Sequence, residues 1–254
     1  EDGVEIGPYC VVGGGVRIGA STVLHNHVSI HGRCEIGEEN ILYPFSVVGG
    51  DPQDLKYAGS ETMVRIGNRN KIREHATVHR GTELGGGVTR IGNDTLIMVH
   101  AHVGHDCTIE DGVVIANNTM LGGHCLIEEG SAIGGGAGIH HYTTIGKLAF
   151  VGGMSRISKD VPPYVVVEGS PAEPKKINTT ALTRRRWPSD EIERLRKAFR
   201  ALYRRTGGNV REALDDLRRE PGQSRAVLQL CDFVERTHTG INGRSLETTR
   251  YDSR

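Results

Sequence analysis

The sequence predicts a mainly β protein, a parallel β-helix of hexapeptide repeats followed by an α-helical domain. Three observations predict it. First, an aliphatic residue falls at every sixth position from Ile91 to Ile157: Ile91, Ile97, Val103, Ile109, Ile115, Leu121, Ile127, Ile133, Ile139, Ile145, Val151 and Ile157. The same beat runs through Ile6, Val12, Ile18, Leu24, Ile30, Ile36, Leu42 and Val48, and again through Ile66, Ile72 and Val78. That period fits neither an amphipathic helix nor an alternating strand. It is the mark of a β-helix, in which each anchor points inward and stacks on its equivalent one coil away. Second, the neighbours of each anchor agree. The residue two before it is usually small, as at Cys10, Thr22, Ser46, Ala76, Ala101, Thr119 and Ala137. The residue after it is often glycine, as at Gly19, Gly37, Gly104, Gly122 and Gly134, and glycine accepts tight corner conformations closed to other residues. Third, the beat stops at Val161-Pro162-Pro163, where two prolines end the strand pattern, and apolar residues then recur at helical spacing.

The elements follow in order. The β-helix spans residues 1–163, with loop excursions at 49–63 (GGDPQDLKYAGSETM) and 81–89 (GTELGGGVT). The second excursion shifts the phase by one residue, and loops on a rigid scaffold often carry function. Because the chain opens at Glu1-Asp2, already inside the repeat, further N-terminal sequence is expected. Residues 164–180 are expected to make an extended crossing, and 181–238 a helical domain. There Ser189 and Asp190 are candidate helix caps, and Ile192, Leu195, Phe199 and Leu202 form an apolar stripe. Two more helices are expected near Val210–Arg219 and Arg225–Thr237, and residues 239–254 read as a disordered tail.

Composition narrows the class. Thirty-five glycines with only four Phe and one Trp suit a core of stacked aliphatics. No run approaches the roughly 20 apolar residues of a membrane span, and no secretory signal is visible. Cys10, Cys34, Cys107 and Cys125 all stand two before an anchor, so they read as buried structural thiols, and Cys231 lies in a helical segment. That usage favours a reducing compartment, the cytoplasm. Net charge is zero but unevenly placed: residues 173–254 carry 19 Lys and Arg against 12 Asp and Glu, the reverse of residues 1–172. The basic tail domain is either a solvated surface or a dock for an acidic partner.

Histidines mark where chemistry could sit. His25, His27 and His31 read as surface residues, whereas His100, His102, His105, His124, His140 and His141 crowd the long run. Two chemistries are open to such a cluster: general base catalysis by imidazole, or zinc ligation, the less favoured. A non-enzymatic scaffold would need flat arrays of repeated residues, and the mixed outward His, Arg, Asp and Glu argue against it.

The motifs QDLKYAG (53–59), HRGT (79–82), AHVGHDCT (101–108), ANN (116–118), GGH (122–124) and VPPY (161–164), with Asn178 followed by Arg184 and Arg185, resemble those of the bacterial UDP-N-acetylglucosamine O-acyltransferases of lipid A synthesis. The resemblance covers the repeats, both excursions and the helical tail. It implies a left-handed triangular coil of three hexapeptides, so residues eighteen apart stack. His105, Gly123 and His141 then share one corner column, with Asp106, His124 and Tyr142 in the next. It further implies His105 as general base toward a sugar 3-hydroxyl, Asp106 as its orienter, and the Gly123 N–H as donor to the thioester oxyanion. Asp54, Lys56, His102, His124, His140 and His141 are implied to bind substrate. Asn178, Arg184 and Arg185 are implied on the nucleotide side, where guanidinium suits phosphate. Gly153 matches a position that gates acyl length. His141 and Thr180 depart from the glutamine and glutamate of a familiar member. The implied substrates are UDP-N-acetylglucosamine and 3-hydroxyacyl-[acyl-carrier-protein], and the implied assembly is a homotrimer with the cleft between neighbours. No cofactor, resident metal or nucleic acid is implied. A 3-amino sugar acceptor, or a metal-dependent hydratase on the same fold, are the rival enzyme readings.

Overall fold

A computed structural model describes residues 1–204, 209–241 and 243–249 of the chain. Strands of mostly two residues wind a left-handed parallel β-helix with three faces, sheets of ten, eight and seven strands. In the uninterrupted part the coil length is eighteen residues, so Leu96 pairs with Val114, Val114 with Ala132, and Ala132 with Phe150. The stack continues across the excursions, Ile41 pairing with Lys71 and Thr77 with His102, and the register slips where His79 pairs with Gly50 at the start of the first excursion.

The anchors fill the prism. Leu24, Ile30, Leu42, Ile72, Ile97, Ile109, Ile115, Leu121, Ile127, Ile133 and Ile145 are all almost completely buried. Burial of each stabilises by roughly 1.5–3 kcal/mol. Ile6 and Val12, with a coil on one side only, remain 56% and 40% exposed. The small inward positions also include a polar ladder. Asn40 Oδ1 accepts from the Asn70 N–H at 2.9 Å, and Asn70 Oδ1 accepts from the Thr95 N–H at 2.8 Å. Their amides donate to Gly67 O and Gly92 O, so both buried asparagine amides are satisfied within the stack.

The glycines after the anchors serve a purpose other than corner conformation. A Cβ on Gly37, Gly67 or Gly134 would stand 2.1–2.9 Å from atoms of the next coil, including its backbone. They permit close approach of coils. The left-handed conformation falls three residues after the anchor instead, on Gly112, Gly130 and Gly136 and also on larger residues: His27, Phe45, His75, His100, Asp106, His124 and Tyr142 all have φ between 57° and 63°. Stacked corners explain His27, which is not a lone surface histidine. Its ring lies parallel to Tyr9 at 4.9 Å and to Phe45 at 4.8 Å, and the ladder continues through His75 to His100.

Beyond the prolines the expected extended crossing is a hairpin. Val165–Gly169 joins the ten-stranded sheet through Phe150 and Val166, then turns back as Ala172–Ile177. Helix α1 (Thr179–Arg184) follows at once, capped by the Asn178 side chain. Helices α2 (Ser189–Tyr203), α3 (Val210–Arg219) and α4 (Arg225–Thr239) complete the domain. Ser189 is the first helical residue rather than a cap; Pro188 precedes it and the end has no side-chain cap. The stripe Ile192, Leu195, Phe199 and Leu202 is buried. The expected disordered tail is also corrected over its described part. After Gly240 closes α4 with φ 73°, residues Gly243–Thr249 form a 3-10 turn held on the solenoid through Asp160. Residues 242 and 250–254 of that tail lie outside the described residues.

All five cysteines are free thiols, and only Cys10, on the first coil, is half-exposed rather than buried. Among the described residues no helix is long and apolar enough to cross a membrane.

Candidate active site

The site is built on one corner of the prism. The strand His102–Val103 belongs to the eight-stranded face, and the strand Thr108–Ile109 to the seven-stranded face. His105 and Asp106 make the turn between them. One coil on, Gly123 and His124 occupy the same places, and two coils on, His141 and Tyr142. The stacking is direct: the His124 N–H donates to His105 O at 2.9 Å and the Tyr142 N–H to Gly123 O at 3.0 Å. The rings of His124 and Tyr142 lie parallel at 4.3 Å, and His105 meets His124 edge-on at 5.0 Å. Gly123 is required here because a Cβ would sit 2.5 Å from His105 Cε1.

Asp106 is the buried hub. Its carboxylate accepts from Thr82 N–H at 2.8 Å and Thr82 O–H at 2.6 Å, and lies 2.8 Å from His105 Nδ1. Its backbone N–H donates to Thr89 Oγ1 at 2.8 Å. Burial opposes ionisation, and the hydrogen bonds from His105 and Thr82 outweigh it, so the carboxyl lies below the ordinary aspartate range. With Nδ1 committed to that carboxylate, the lone pair of His105 sits on Nε2.

His105 opens onto a groove of 920 Å³ that runs along the eight-stranded face. Its wall brings together His79, His102, His105, Gly123, His124, His140 and His141 with Asp54 and Lys56 from the first excursion. Asp54 also orders its own loop, its carboxylate accepting from the Lys56 N–H at 3.0 Å. Met120, Gly138 and Arg156 form the floor beyond the histidines. His102 is held by Thr77 Oγ1, 2.8 Å from its Nδ1, and its pKa is pushed down to about 4 by burial and by the charges on His79 and His105. It is a neutral hydrogen-bonding group near pH 7.

Four of the residues implied by resemblance stand elsewhere. Asn178 caps α1 and donates to Leu148 O at 2.8 Å, while Arg185 faces Glu129 at 3.4 Å beside the corner at Gly130. Arg184 is exposed on the same helix. Gly153 is exposed at the third corner, against Gly135 O. None of the four lines the groove of this chain. Conversely, sequence reasoning assigned no role to Thr82, Thr89 or His79. The one-residue phase shift was their signal, since an extra residue must leave the prism, and here it returns onto Asp106.

The donor atoms of His105, Asp106 and His124 lie within 4.8 Å of one another, as do those of His140, His141 and Glu247. The first set is arranged for proton sharing. Its Nδ1 and Oδ2 are 2.8 Å apart, whereas two ligands of one tetrahedral zinc, each about 2 Å from it, stand about 3.3 Å apart.

Two family models match the chain: the second domain of UDP-N-acetylglucosamine O-acyltransferase over residues 160–242, and the bacterial transferase hexapeptide (six repeats) over residues 88–123. Among solved structures, the UDP-N-acetylglucosamine O-acyltransferase of Moraxella catarrhalis is 42% identical, over 93% of this chain and 92% of that one, with a TM-score of 0.89. The UDP-N-acetylglucosamine acyltransferase of Francisella novicida is 33% identical over 92% and 88%, with a TM-score of 0.86. That of Arabidopsis is 31% identical over 100% and 93%, with a TM-score of 0.83. Shared repeats, a shared helical domain and identity over nearly the whole length leave one placement: the chain belongs to the UDP-N-acetylglucosamine O-acyltransferase family.

Proposed function

We propose that the protein moves a 3-hydroxyacyl chain from acyl carrier protein to the glucosamine 3-hydroxyl of UDP-N-acetylglucosamine, the first step of lipid A synthesis, in the cytoplasm. The observation that carries the reading is the Thr82–Asp106–His105 relay opening on the groove. His105 Nε2 takes the hydroxyl proton as the sugar oxygen attacks the thioester carbonyl. Asp106 holds the imidazole in the required tautomer and stabilises its charged form. The Gly123 N–H receives the developing oxyanion. Collapse breaks the C–S bond, and the proton on His105 passes to the departing pantetheine sulfur, giving the sugar ester and free carrier thiol. Asp54, Lys56 and the neutral His102 hold the sugar. A neighbouring copy in a homotrimer supplies Asn178, Arg184 and Arg185 to the nucleotide, consistent with their separation from the groove of their own chain. The basic helical domain receives the acidic carrier.

The test is acyl transfer by intact protein and by His105→Ala. Activity should fall by about 100-fold or more, with circular dichroism unchanged. Robust turnover by the variant removes His105 from the mechanism. An alkali-resistant product would identify an amide, hence an amino-sugar acceptor.

A further inference from the structure

The 3-10 turn Gly243–Thr249 lies past the end of the segment matched by the family's second-domain model, which stops at residue 242. It nonetheless reaches the groove and is attached there at three points. Gly243 adopts φ 54°, and a Cβ on it would stand 2.2 Å from the Asp160 carboxylate, so only glycine brings the backbone this close. The next N–H, of Arg244, donates to Asp160 Oδ1 at 2.9 Å, and the same oxygen accepts from the Thr144 N–H at 2.8 Å. Asp160 is thus the buried link between the turn and the coil that carries Tyr142. Arg244 then pairs with Glu247 and places Nη2 3.4 Å from His140 Nε2. Finally, Glu247 Oε1 lies 2.5 Å from His141 Nε2. His140 and His141 both line the groove.

We infer that residues 243–249 are a positioning strap for the His140–His141 end of the groove, with Glu247 fixing the His141 imidazole and Arg244 fixing Glu247. The inference rests on reading that end as part of the nucleotide-sugar site. An imidazole at a groove rim, 36% exposed on its side chain, would otherwise sample several rotamers. Ordering it beforehand removes that entropy from the binding step. The strap's hydrogen bonds among the described residues go to Asp160, His140 and His141 rather than to His105 or Asp106, so it acts on binding and leaves the chemical step alone.

The experiment compares intact protein, Glu247→Ala, Glu247→Gln, His141→Ala and the double variant His141→Ala/Glu247→Ala. Glu247→Ala should raise KM for UDP-N-acetylglucosamine about fivefold, the equivalent of one net hydrogen bond, with kcat within about twofold. Glu247→Gln, whose amide oxygen can accept from the same nitrogen, should recover part of the loss. In the His141→Ala background the loss should vanish. An unchanged KM, an equal effect without His141, or a gain in kcat/KM would overturn the strap; the last would mean that the turn obstructs the groove. A second readout needs no substrate. Diethylpyrocarbonate labelling of the peptide containing His140 and His141, read by mass spectrometry, should rise severalfold in Glu247→Ala. Unchanged labelling overturns the inference. If intact protein does not use UDP-N-acetylglucosamine, the functional reading fails while labelling still judges the strap.

Discussion

His102 and His105 stand three residues apart and have different partners: one a threonine hydroxyl, the other a buried carboxylate. The difference assigns their chemistry. His102 is pushed by burial and neighbouring charge from 6.5 to about 4, so between these values the unfolded chain takes a proton that the folded chain refuses. Stability must therefore rise with pH across that window and fall on acidification. His102→Gln should lose less melting temperature than the intact protein between pH 6.5 and pH 4, as differential scanning fluorimetry would show; equal losses would mean that His102 titrates normally. For His105 the decisive neighbour is Asp106. Asp106→Asn keeps the shape but offers His105 Nδ1 no carboxylate, so kcat should drop by about 10²–10⁴-fold. A drop confined to KM would make Asp106 a binding residue instead. The His-Asp dipeptide was legible in the sequence. The Thr82 bonds that join His105 in keeping Asp106 ionised were not, because they depend on where an irregular loop lands.

At the scale of the coil, glycine substitutions separate packing from chemistry. A Cβ on Gly134 would stand 2.5 Å from Gly153 N and 2.8 Å from Val151 O, backbone atoms that cannot turn aside. Gly134→Ala should destabilise by about 1–3 kcal/mol in urea titration, with kcat close to normal. A Cβ on Gly85 would instead stand 2.0 Å from the Asp106 carboxyl carbon. Gly85→Ala should lift the second excursion off Asp106, lowering kcat with a smaller loss of stability; the reverse pattern would deny the loop its catalytic role. The contrast also marks what the sequence could reveal. The six-residue beat gave the anchors and the breaks, because inward burial repeats strictly, whereas the stacking of His105 on Gly123 needed the three-hexapeptide coil that the family resemblance implied. The hairpin at 165–177, the cap at Asn178 and the turn at 243–249 arise from single pairings with distant partners, which leave no period to read. The inward polar ladder was equally hidden, since Asn40 and Asn70 interrupt a position otherwise held by small residues.

At the scale of the molecule, the residues that the family resemblance implicates are distributed over all three corners of the prism. His105, Gly123 and His141 hold the corner between the eight- and seven-stranded faces. Arg185 lies beside Gly112 and Gly130, at the corner between the seven- and ten-stranded faces, and Gly153 lies at the remaining one. One prism cannot turn two corners into one cleft, whereas neighbours in a threefold ring can set different corners face to face. This predicts complementation. His105→Ala and Arg185→Ala chains should each form poorly active trimers. Unfolded together in equal amounts and refolded, they should assemble at random. A working site then needs His105 from an Arg185→Ala chain and Arg185 from a neighbouring His105→Ala chain, which happens at about one site in four for a ring of such interfaces. Activity should rise toward about a quarter of the unsubstituted level, and a mixture of the two preformed trimers should show no gain. If refolded mixtures stay inactive while their mixed composition is confirmed by native mass spectrometry, each site is built within one chain and Arg185 serves another purpose.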